Sequence, residues 1–339
     1  MNRAALAARM FLLVALLPAV GAAGYTAYEY RTQPPMPPTG TFREFHSEPL
    51  ISGKPTTGLL LGTYAPGADV TGLAKFDHAI GSRAALTVRY MEWGKPFPAT
   101  YVAHAAGLGA ETVLELEPRG AKDPTLAEIA AGVGDKWLRK FAREMLGPQD
   151  HFILSFAPEM NGAWYKYGSG HAPPGDYVRA FRHVHDVLSA TKAGKLITYL
   201  WQPSAHHLTT PWARPYWPGA KYVDEIGVDG YYFYSSDSFR VIFGQTLRMF
   251  KKIAPHTPIL IGETAIGPRS DHEVADIRDL FAGIKRNHLI GIIWFDKRQH
   301  VNIYHQDWRL QDNQAALASF QAALAAAGPL GGFPRPKRT

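Results

Sequence analysis

Eight short apolar runs recur along the middle of the chain, and their spacing is the feature that most limits the possible folds. The runs are rich in β-branched, aliphatic and aromatic residues, and they occupy residues 58–64, 85–90, 112–116, 152–156, 196–201, 225–231, 258–262 and 290–295. Successive runs begin 27 to 44 residues apart, which leaves room for one right-handed β-helix-β crossover in each gap. Amphipathic stretches with helical spacing lie among the runs, the clearest at 126–145, 175–190, 239–253, 272–286 and 313–326.

Eight strands that alternate with helices favour a (β/α)8 TIM barrel over an open doubly wound sheet. The first run is not followed by a glycine-rich loop of the kind that binds phosphate, and this argues further against an open sheet. The chain has 339 residues, of which 46% are hydrophobic, so it can bury one large core. We therefore predict a single barrel domain over residues 51–328.

The two ends of the chain differ in composition from the middle. Residues 1–30 combine the basic Arg3 and Arg9 with an apolar run that ends in small residues, as in an export signal. Because no charge lies between Arg9 and Glu29, an uncleaved inner-membrane anchor is the alternative. Residues 31–50 read as a Pro-rich linker and residues 329–339 as a flexible basic tail. Either N-terminal interpretation places the domain outside the cytoplasm, in the periplasm or the extracellular space.

Composition excludes several classes of function. The net charge is +7, but six of the basic residues lie in the two ends, and a near-neutral middle argues against a nucleic-acid partner. Cysteine is absent, which excludes disulfides, Fe–S clusters, thiolate zinc and a cysteine nucleophile. We predict no metal, because the histidines show no metal-like grouping backed by a carboxylate; they are residues 104, 183, 185, 206, 207 and 305. We also expect no cofactor and a monomer.

Two glutamates stand where a barrel places its chemistry, at the C-terminal ends of the strands. Glu159 follows the fourth run and Glu263 closes the seventh. Strands four and seven face each other across a barrel, so these carboxyls can converge over the pocket. Two converging carboxyls are what glycosidic bond cleavage requires. Glu92, Glu115 and Glu117 also lie near strand ends and compete for the role.

The sequence resembles glycoside hydrolase family 26 from about Gly58 to Trp308. The resemblance rests on the segments at 159–165 (EMNGAWY), 216–219 (YWPG), 222–231 (YVDEIGVDGY), 261–264 (IGET) and 293–296 (IWFD). It implies that Glu159 is the general acid/base and Glu263 the nucleophile of a retaining mechanism. In such a mechanism the two carboxyls are expected about 5–5.5 Å apart.

The resemblance also implies that four aromatic side chains contact sugar, namely Trp164, Trp201, Tyr231 and Trp294. We further predict Asn161, Trp93 and Tyr64 as substrate-binding residues, with Trp93 as a candidate platform at the rim. Tryptophans near the ends of strands four, five and eight would surround one pocket, and sugar rings stack on such faces. Any one tryptophan is also consistent with a place in the core, and Tyr232 is an alternative to Tyr231.

Pro158 departs from the family pattern. Members that cut β-mannan usually carry a histidine immediately before the acid/base, whereas proline has neither a side-chain donor nor a backbone N–H. We expect an exported, endo-acting, retaining β-glycosidase for β-mannan or mixed-linkage β-1,3-1,4-glucan. The alternatives are an envelope hydrolase or transglycosylase for a bacterial exopolysaccharide, and a catalytically weak polysaccharide-binding barrel.

Overall fold

The computed structural model describes residues 58–67, 69–147, 151–206, 210–299 and 306–331. Eight parallel strands close into a barrel in sequence order, and β1 completes the ring against β8, with Tyr64 opposite Phe295. The predicted (β/α)8 barrel is therefore confirmed. The strands are β1 Leu60–Tyr64, β2 Leu86–Glu92, β3 Glu111–Glu117, β4 Phe152–Phe156, β5 Ile197–Trp201, β6 Glu225–Asp229, β7 Ile259–Thr264 and β8 Gly291–Phe295.

Helices connect the strands and cover the outside of the barrel. They are α1 Thr71–Ile80, α2 Ala99–Gly107, α3 Leu126–Ala130, α4 Asp135–Glu144, α5 Pro174–Ser189, α6 Phe239–Ile253, α7 Glu273–Arg286 and α8 Gln314–Ala327. Between β5 and β6 the described residues hold a 3-10 turn at Arg214–Tyr216 instead of an α-helix. A two-stranded antiparallel ribbon, β9 Arg298–Gln299 with β10 Gln306–Asp307, follows β8.

The helix expected over 126–145 is two helices, α3 and α4. Gly132 and Gly134 between them have φ of +94° and +101°, a left-handed region that glycine enters readily and that ends a helix. A Cβ at Gly134 would lie 2.7 Å from the Trp93 ring. The break thus also makes room for a core tryptophan, which helical spacing alone did not reveal.

The barrel interior is apolar in its middle and carries polar side chains toward its ends. Its middle is an apolar layer made by Leu60, Leu86, Val88, Val113, Ile153, Leu200, Leu260, Ile290 and Ile293. Side chains alternate along a strand, so Tyr90, Glu115, Ser155 and Gln202, each two positions beyond a residue of this layer, also face the lumen. They bring polar groups to the C-terminal end of the barrel.

The described part of the chain ends in a pairing contact. Leu330 bridges to Leu59 in parallel register, and the Gly331 N–H donates to the Leu59 carbonyl at 3.0 Å. The tail predicted over 329–339 therefore begins with paired residues, which is a correction at its first positions. The predicted segments 1–30 and 31–50 lie outside the described residues. Within the described residues, no helix is both long and apolar enough to cross a membrane.

Candidate active site

Glu159 is presented by a strained turn after β4. Both Ala157 and Glu159 have left-handed backbones, with φ of 48° and 51°, a region costly for residues other than glycine. The turn is fixed from both sides, since the Ala157 N–H donates to the Leu116 carbonyl at 2.9 Å and the Glu159 N–H donates to the Gln202 carbonyl at 2.7 Å. Neighbouring strands thus impose the conformation that points Glu159 into the pocket.

Glu263 is aimed into the same pocket by an irregularity in β7. The register of β7 against β8 shifts between Ile261 and Thr264, and such a bulge redirects the side chains that follow it. The Tyr90 hydroxyl donates to Glu263 Oε1. The Tyr231 hydroxyl also lies close enough to lower the pKa of Glu263, although its geometry falls short of a complete hydrogen bond.

The carboxyls of Glu159 and Glu263 meet, together with a third from Asp229. One oxygen from each of the three lies within 4.8 Å of the other two. The carboxyls are nearly enclosed, with 4% of Glu159 and of Glu263 exposed and 1% of Asp229. One oxygen of Glu159 therefore lies no more than 4.8 Å from one oxygen of Glu263, which is compatible with the carboxyl separation of about 5–5.5 Å expected for retention.

The two glutamates differ in their surroundings. Burial raises the pKa of Glu159 well above its usual range, and the negative charge of Glu263 raises it further, against a hydrogen bond from the Trp164 indole N–H at 2.9 Å. Burial also raises the pKa of Glu263, but the Tyr90 hydroxyl and the charge of Lys297 oppose that rise. Environments that differ in this way favour the protonated form more for Glu159 than for Glu263.

The buried Gln202 amide links Asp229 to a second acid, Glu115, beneath Glu159 and Glu263. Gln202 Nε2 donates to Glu115 Oε1 at 3.0 Å and to both Asp229 oxygens at 3.1 Å. Burial and the neighbouring carboxylates raise the pKa of both Asp229 and Glu115 well above the usual range. A Cβ at position 262 would lie 2.7 Å from Asp229 Oδ1, so Gly262 allows the close approach.

Three convergent carboxyls are also a possible cation site, because carboxylate oxygens are the ligands that hard cations prefer. Here each carboxyl already accepts a hydrogen bond, from the Trp164 indole, the Gln202 amide and the Tyr90 hydroxyl respectively. A cation would compete with these donors. The arrangement suits proton exchange between carboxyls better than metal binding.

Two of the competing glutamates lie at the edge of the pocket. Glu117 is fully buried and pairs with Arg119 at 3.1 Å; its burial raises its pKa to about 7 against the charge of Arg119. The Tyr165 hydroxyl lowers that pKa in part, and its ring stacks on Tyr167 at 4.7 Å. Glu92 is more exposed and lies 3.7 Å from Arg119. These residues form a polar wall beside Glu159.

Three of the predicted sugar contacts lie at the pocket. Trp164 is half-buried beside Glu159. The Tyr64 ring stacks on Phe295 with centroids 5.0 Å apart, and burial together with Glu263 raises its pKa to about 12. Tyr231 lies beside Glu263 and packs edge-on against Phe295 at 5.8 Å.

Trp201 lies outside the pocket. It is completely buried and packs against Trp217 at 4.9 Å and against Phe250 of α6 at 5.7 Å. Leu200 belongs to the layer inside the barrel, so the next residue along the strand faces outward. The expectation that Trp201 contacts sugar is corrected accordingly.

Trp294 is displaced from the pocket for the same reason. Ile293 faces inward, and the Trp294 ring packs against Phe320 of α8 at 5.3 Å while its indole N–H donates to the Trp308 carbonyl at 2.9 Å. Phe295, one residue later, faces the pocket with Tyr64. The expected sugar contact of Trp294 is therefore corrected, and Phe295 is the aromatic residue of β8 that faces the pocket.

Trp93 and Asn161 are also structural. Trp93 is 6% exposed and packs on Trp137 of α4 at 4.7 Å, so it is not available as a platform at the rim. Asn161 is fully buried, and its amide nitrogen donates to the Ser204 carbonyl at 2.8 Å and the Pro211 carbonyl at 2.9 Å. Its role is to join two loops, which corrects the expected substrate contact.

Sequence reasoning missed Tyr90, Gln202, Asp229 and Phe295 as pocket residues. Asp229 could have been found, because an acid inside an otherwise apolar run must face a polar part of the interior. Tyr90 is the last residue of its run and lies two residues before Glu92, so the two side chains share a face of the strand. It lies at the level where the other strands carry their polar residues. Gln202 directly follows its run and offers no comparable signal.

A (β/α)8 barrel that brings two buried glutamates together at the carboxyl ends of β4 and β7 has the architecture of a glycoside hydrolase. Residues 149–317 match the sequence profile of glycosyl hydrolase family 26. The chain belongs to this family.

Relatives agree with this assignment. Endoglucanase H of Acetivibrio thermocellus is 22% identical over 291 residues, which cover 81% of this chain and 31% of that protein; the chain thus spans about a third of the relative's length. A β-mannanase of the family from Bacteroides ovatus has a TM-score of 0.60 at 15% identity, over 81% of this chain and 90% of that one. The catalytic domain of an endo-β-1,4-mannanase from Bacillus sp. JAMB-750 has a TM-score of 0.58 at 16% identity, over 80% and 86%. At these identities the solved structures show the shared fold.

Proposed function

We propose that this glycoside hydrolase is an endo-acting retaining β-glycanase that works by double displacement. The observation that carries the proposal is the approach of the Glu159 and Glu263 oxygens to within 4.8 Å. Inverting enzymes hold their carboxyls about 6.5–9.5 Å apart to admit a water between them. A closer pair supports direct attack by one carboxylate on the sugar.

In the first step Glu263 attacks the anomeric carbon and Glu159 gives its proton to the leaving oxygen. The Tyr90 hydroxyl holds Glu263 in place and favours its charged form. Burial and the charge of Glu263 raise the pKa of Glu159, which favours the protonated form that this step needs. Each side chain thus begins the reaction in the protonation state that its step requires.

In the second step water breaks the glycosyl ester. Once Glu263 is esterified it carries no charge, so the repulsion that raised the pKa of Glu159 disappears. Glu159 can then accept a proton from the attacking water, and Glu263 leaves as a carboxylate. The same close distance therefore supports both the acid and the base role.

A binding barrel without catalysis is the alternative from another class. Polymer binding needs aromatic and hydroxyl groups, whereas enclosed carboxyls disfavour the folded state when they ionise. Glu159, Asp229 and Glu263 are all almost fully buried and crowd one point. The presence of three buried carboxyls, although they destabilise the fold when ionised, favours catalysis over binding.

The substrate class we propose is a β-mannan or a mixed-linkage β-1,3-1,4-glucan. The relatives include mannanases and an endoglucanase, and Pro158 cannot supply the donor that a histidine would bring. The Pro158 carbonyl is itself occupied by the Tyr167 hydroxyl at 3.0 Å. This difference favours the glucan within the pair, and a bacterial exopolysaccharide, cut or transferred at the envelope, is the second candidate.

We also propose action outside the cytoplasm, on the strength of the basic and then apolar N-terminal sequence. Cell fractionation of the full chain tests this point: recovery in the cytoplasmic fraction would contradict it, and the membrane and periplasmic fractions separate anchoring from release.

Reducing-end release from β-glucans, β-mannans and bacterial exopolysaccharides tests the activity, and ¹H NMR of the first product tests the stereochemistry. We expect internal cleavage of one class with the β-anomer formed first. The α-anomer first would indicate inversion, and transfer to an added sugar acceptor would support the transglycosylase. Binding without products from any polymer would support the non-catalytic barrel.

A further inference from the structure

We propose that Trp212 forms a sugar-stacking subsite on the leaving-group side of the cleft; the inference rests on the proposed glycanase function. Trp212 is 42% exposed, whereas the tryptophans Trp201, Trp294 and Trp93 are buried. It follows β5, and the connections after the strands form the catalytic end of a (β/α)8 barrel. An exposed indole at this end needs an explanation that core packing does not give.

The loop that bears Trp212 is attached to the acid/base loop. Asn161, two residues after Glu159, donates from its amide nitrogen to the Ser204 and Pro211 carbonyls at 2.8 and 2.9 Å. Its amide oxygen accepts from the Ser204 N–H at 2.9 Å. Because Pro211 immediately precedes Trp212, the indole is anchored close to the turn that presents Glu159.

The Trp212 ring is held in place before any sugar arrives. It stacks on His206 with ring centroids 3.8 Å apart and planes 22° from parallel. His206 is itself fixed, since its ring Nδ1 lies 2.6 Å from the Thr210 carbonyl oxygen and its backbone N–H donates to Thr246 Oγ1 at 2.8 Å. One face of the indole is covered and part of the ring stays open, so stacking costs little further loss of freedom.

The side of the cleft follows from the chemistry. Glu159 protonates the oxygen of the leaving sugar, so the loop that presents it borders the leaving part of the chain. Trp164 donates to Glu159 directly and lies next to the bond that breaks. Trp212, on the adjoining loop, extends the surface outward. The flat apolar face of a pyranose on the leaving side is the group that stacks on such a ring.

The test compares Trp212→Ala and Trp212→Phe with Leu146→Ala, a control at an equally exposed apolar residue (43%) beside α4. Substrates are the cleaved polymer and an activated aryl glycoside, which has no sugar on the leaving side. We expect Trp212→Ala to lower kcat/KM on the polymer about three- to tenfold and to leave the aryl glycoside unchanged. Trp212→Phe should keep part of the polymer rate, and Leu146→Ala all of it.

Affinity electrophoresis in a Glu263→Ala background separates binding from turnover. Wild-type failure to cleave any polymer would refute the glycanase, while weaker retardation of the Glu263→Ala/Trp212→Ala protein would still support the subsite. Unchanged polymer kinetics and retardation in Trp212→Ala would overturn the inference. An equal loss on polymer and aryl glycoside would also overturn it, because it would indicate a structural role in the loop.

Discussion

The two ends of the barrel lumen surround their acids differently. At the N-terminal end Glu111 lies 2.7 Å from His151 Nδ1, and His151 Nε2 lies 2.8 Å from the Thr198 hydroxyl, so these groups satisfy each other. At the C-terminal end five buried carboxyls crowd together, namely Glu115, Glu117, Glu159, Asp229 and Glu263. Of these, Glu117 has a salt bridge to Arg119.

The contrast separates what the fold needs from what the reaction needs. Both ends belong to the same strands and are separated by the apolar layer, so strand geometry does not account for the difference. Groups that pair with each other stabilise the barrel. Groups that repel each other and shift one another's pKa are the mark of a site arranged for proton transfer. Substitutions at the two ends should therefore affect different properties.

The largest effect is expected for Glu263→Ala. Removing the proposed nucleophile should lower turnover by a factor on the order of 10⁴ or more, because the covalent step then lacks the carboxylate that attacks the sugar. The fold should persist, since the change removes one of three mutually repelling carboxyls. Measured kcat, circular dichroism and polymer retardation check these points together. Wild-type-like turnover would end the assignment.

Glu159→Ala should come second. Cleavage of the natural polymer should fall about 10²–10⁴-fold, because its leaving oxygen needs a proton, whereas an activated aryl glycoside should still form the glycosyl ester. Azide needs no general base, so it should speed the breakdown of that ester and give a β-glycosyl azide. Product analysis by NMR decides the point: an α-azide or no rescue would remove Glu159 from the acid/base role.

Tyr90→Phe should have a smaller effect that depends on pH. The Tyr90 hydroxyl lowers the pKa of Glu263, so its loss should raise that pKa. Since the nucleophile acts as the carboxylate, the acidic limb of the kcat/KM profile should move to higher pH. A loss of about tenfold in kcat/KM at neutral pH corresponds to one hydrogen bond to a charged group. An equal loss at all pH values would indicate a positional role instead.

Strand β8 shows how much of the fold could be predicted from the sequence. The run at 290–295 and the barrel were predictable, because eight apolar runs that alternate with helical stretches favour a closed (β/α)8 barrel. The face of each residue was not, since β8 places Phe295 in the pocket and Trp294 against α8. A strand in a parallel barrel is buried on both faces and shows no alternation of polar and apolar residues. The sequence therefore does not show which of two adjacent aromatic residues at the end of the strand faces the pocket.

The site was predictable to a similar extent. Glu159 and Glu263 lie at strand ends in recognisable segments, so their convergence could be expected. Asp229 and Gln202 lie under them because of a bulge in β7 and the absence of a side chain at Gly262. Local sequence does not encode such contacts, which arise only when strands five, six and seven are placed side by side.

The smallest expected effect concerns Glu225, a buried acid at the N-terminal end that is not fully paired. Glu225 is 7% exposed, its Oε2 has no hydrogen-bond partner within the described residues, and burial with the charges of Asp224 and Glu111 raises its pKa to about 8. In the unfolded chain a glutamate ionises near pH 4.3. As pH rises from there to about 8, the unfolded state loses this proton first, so Glu225 lowers the stability of the fold across that range.

Glu225→Gln keeps the shape and removes the ionisation. We expect it to raise the free energy of unfolding at pH 8 by about 1–3 kcal/mol, with little change at pH 4, and to leave kcat/KM as in the wild type. Urea unfolding at the two pH values measures the difference. An equal gain at both would mean that packing, not charge, is the cause. A loss of kcat/KM would mean that the apolar layer does not insulate the two ends, and the division of the lumen into a stabilising end and a reactive end would fail.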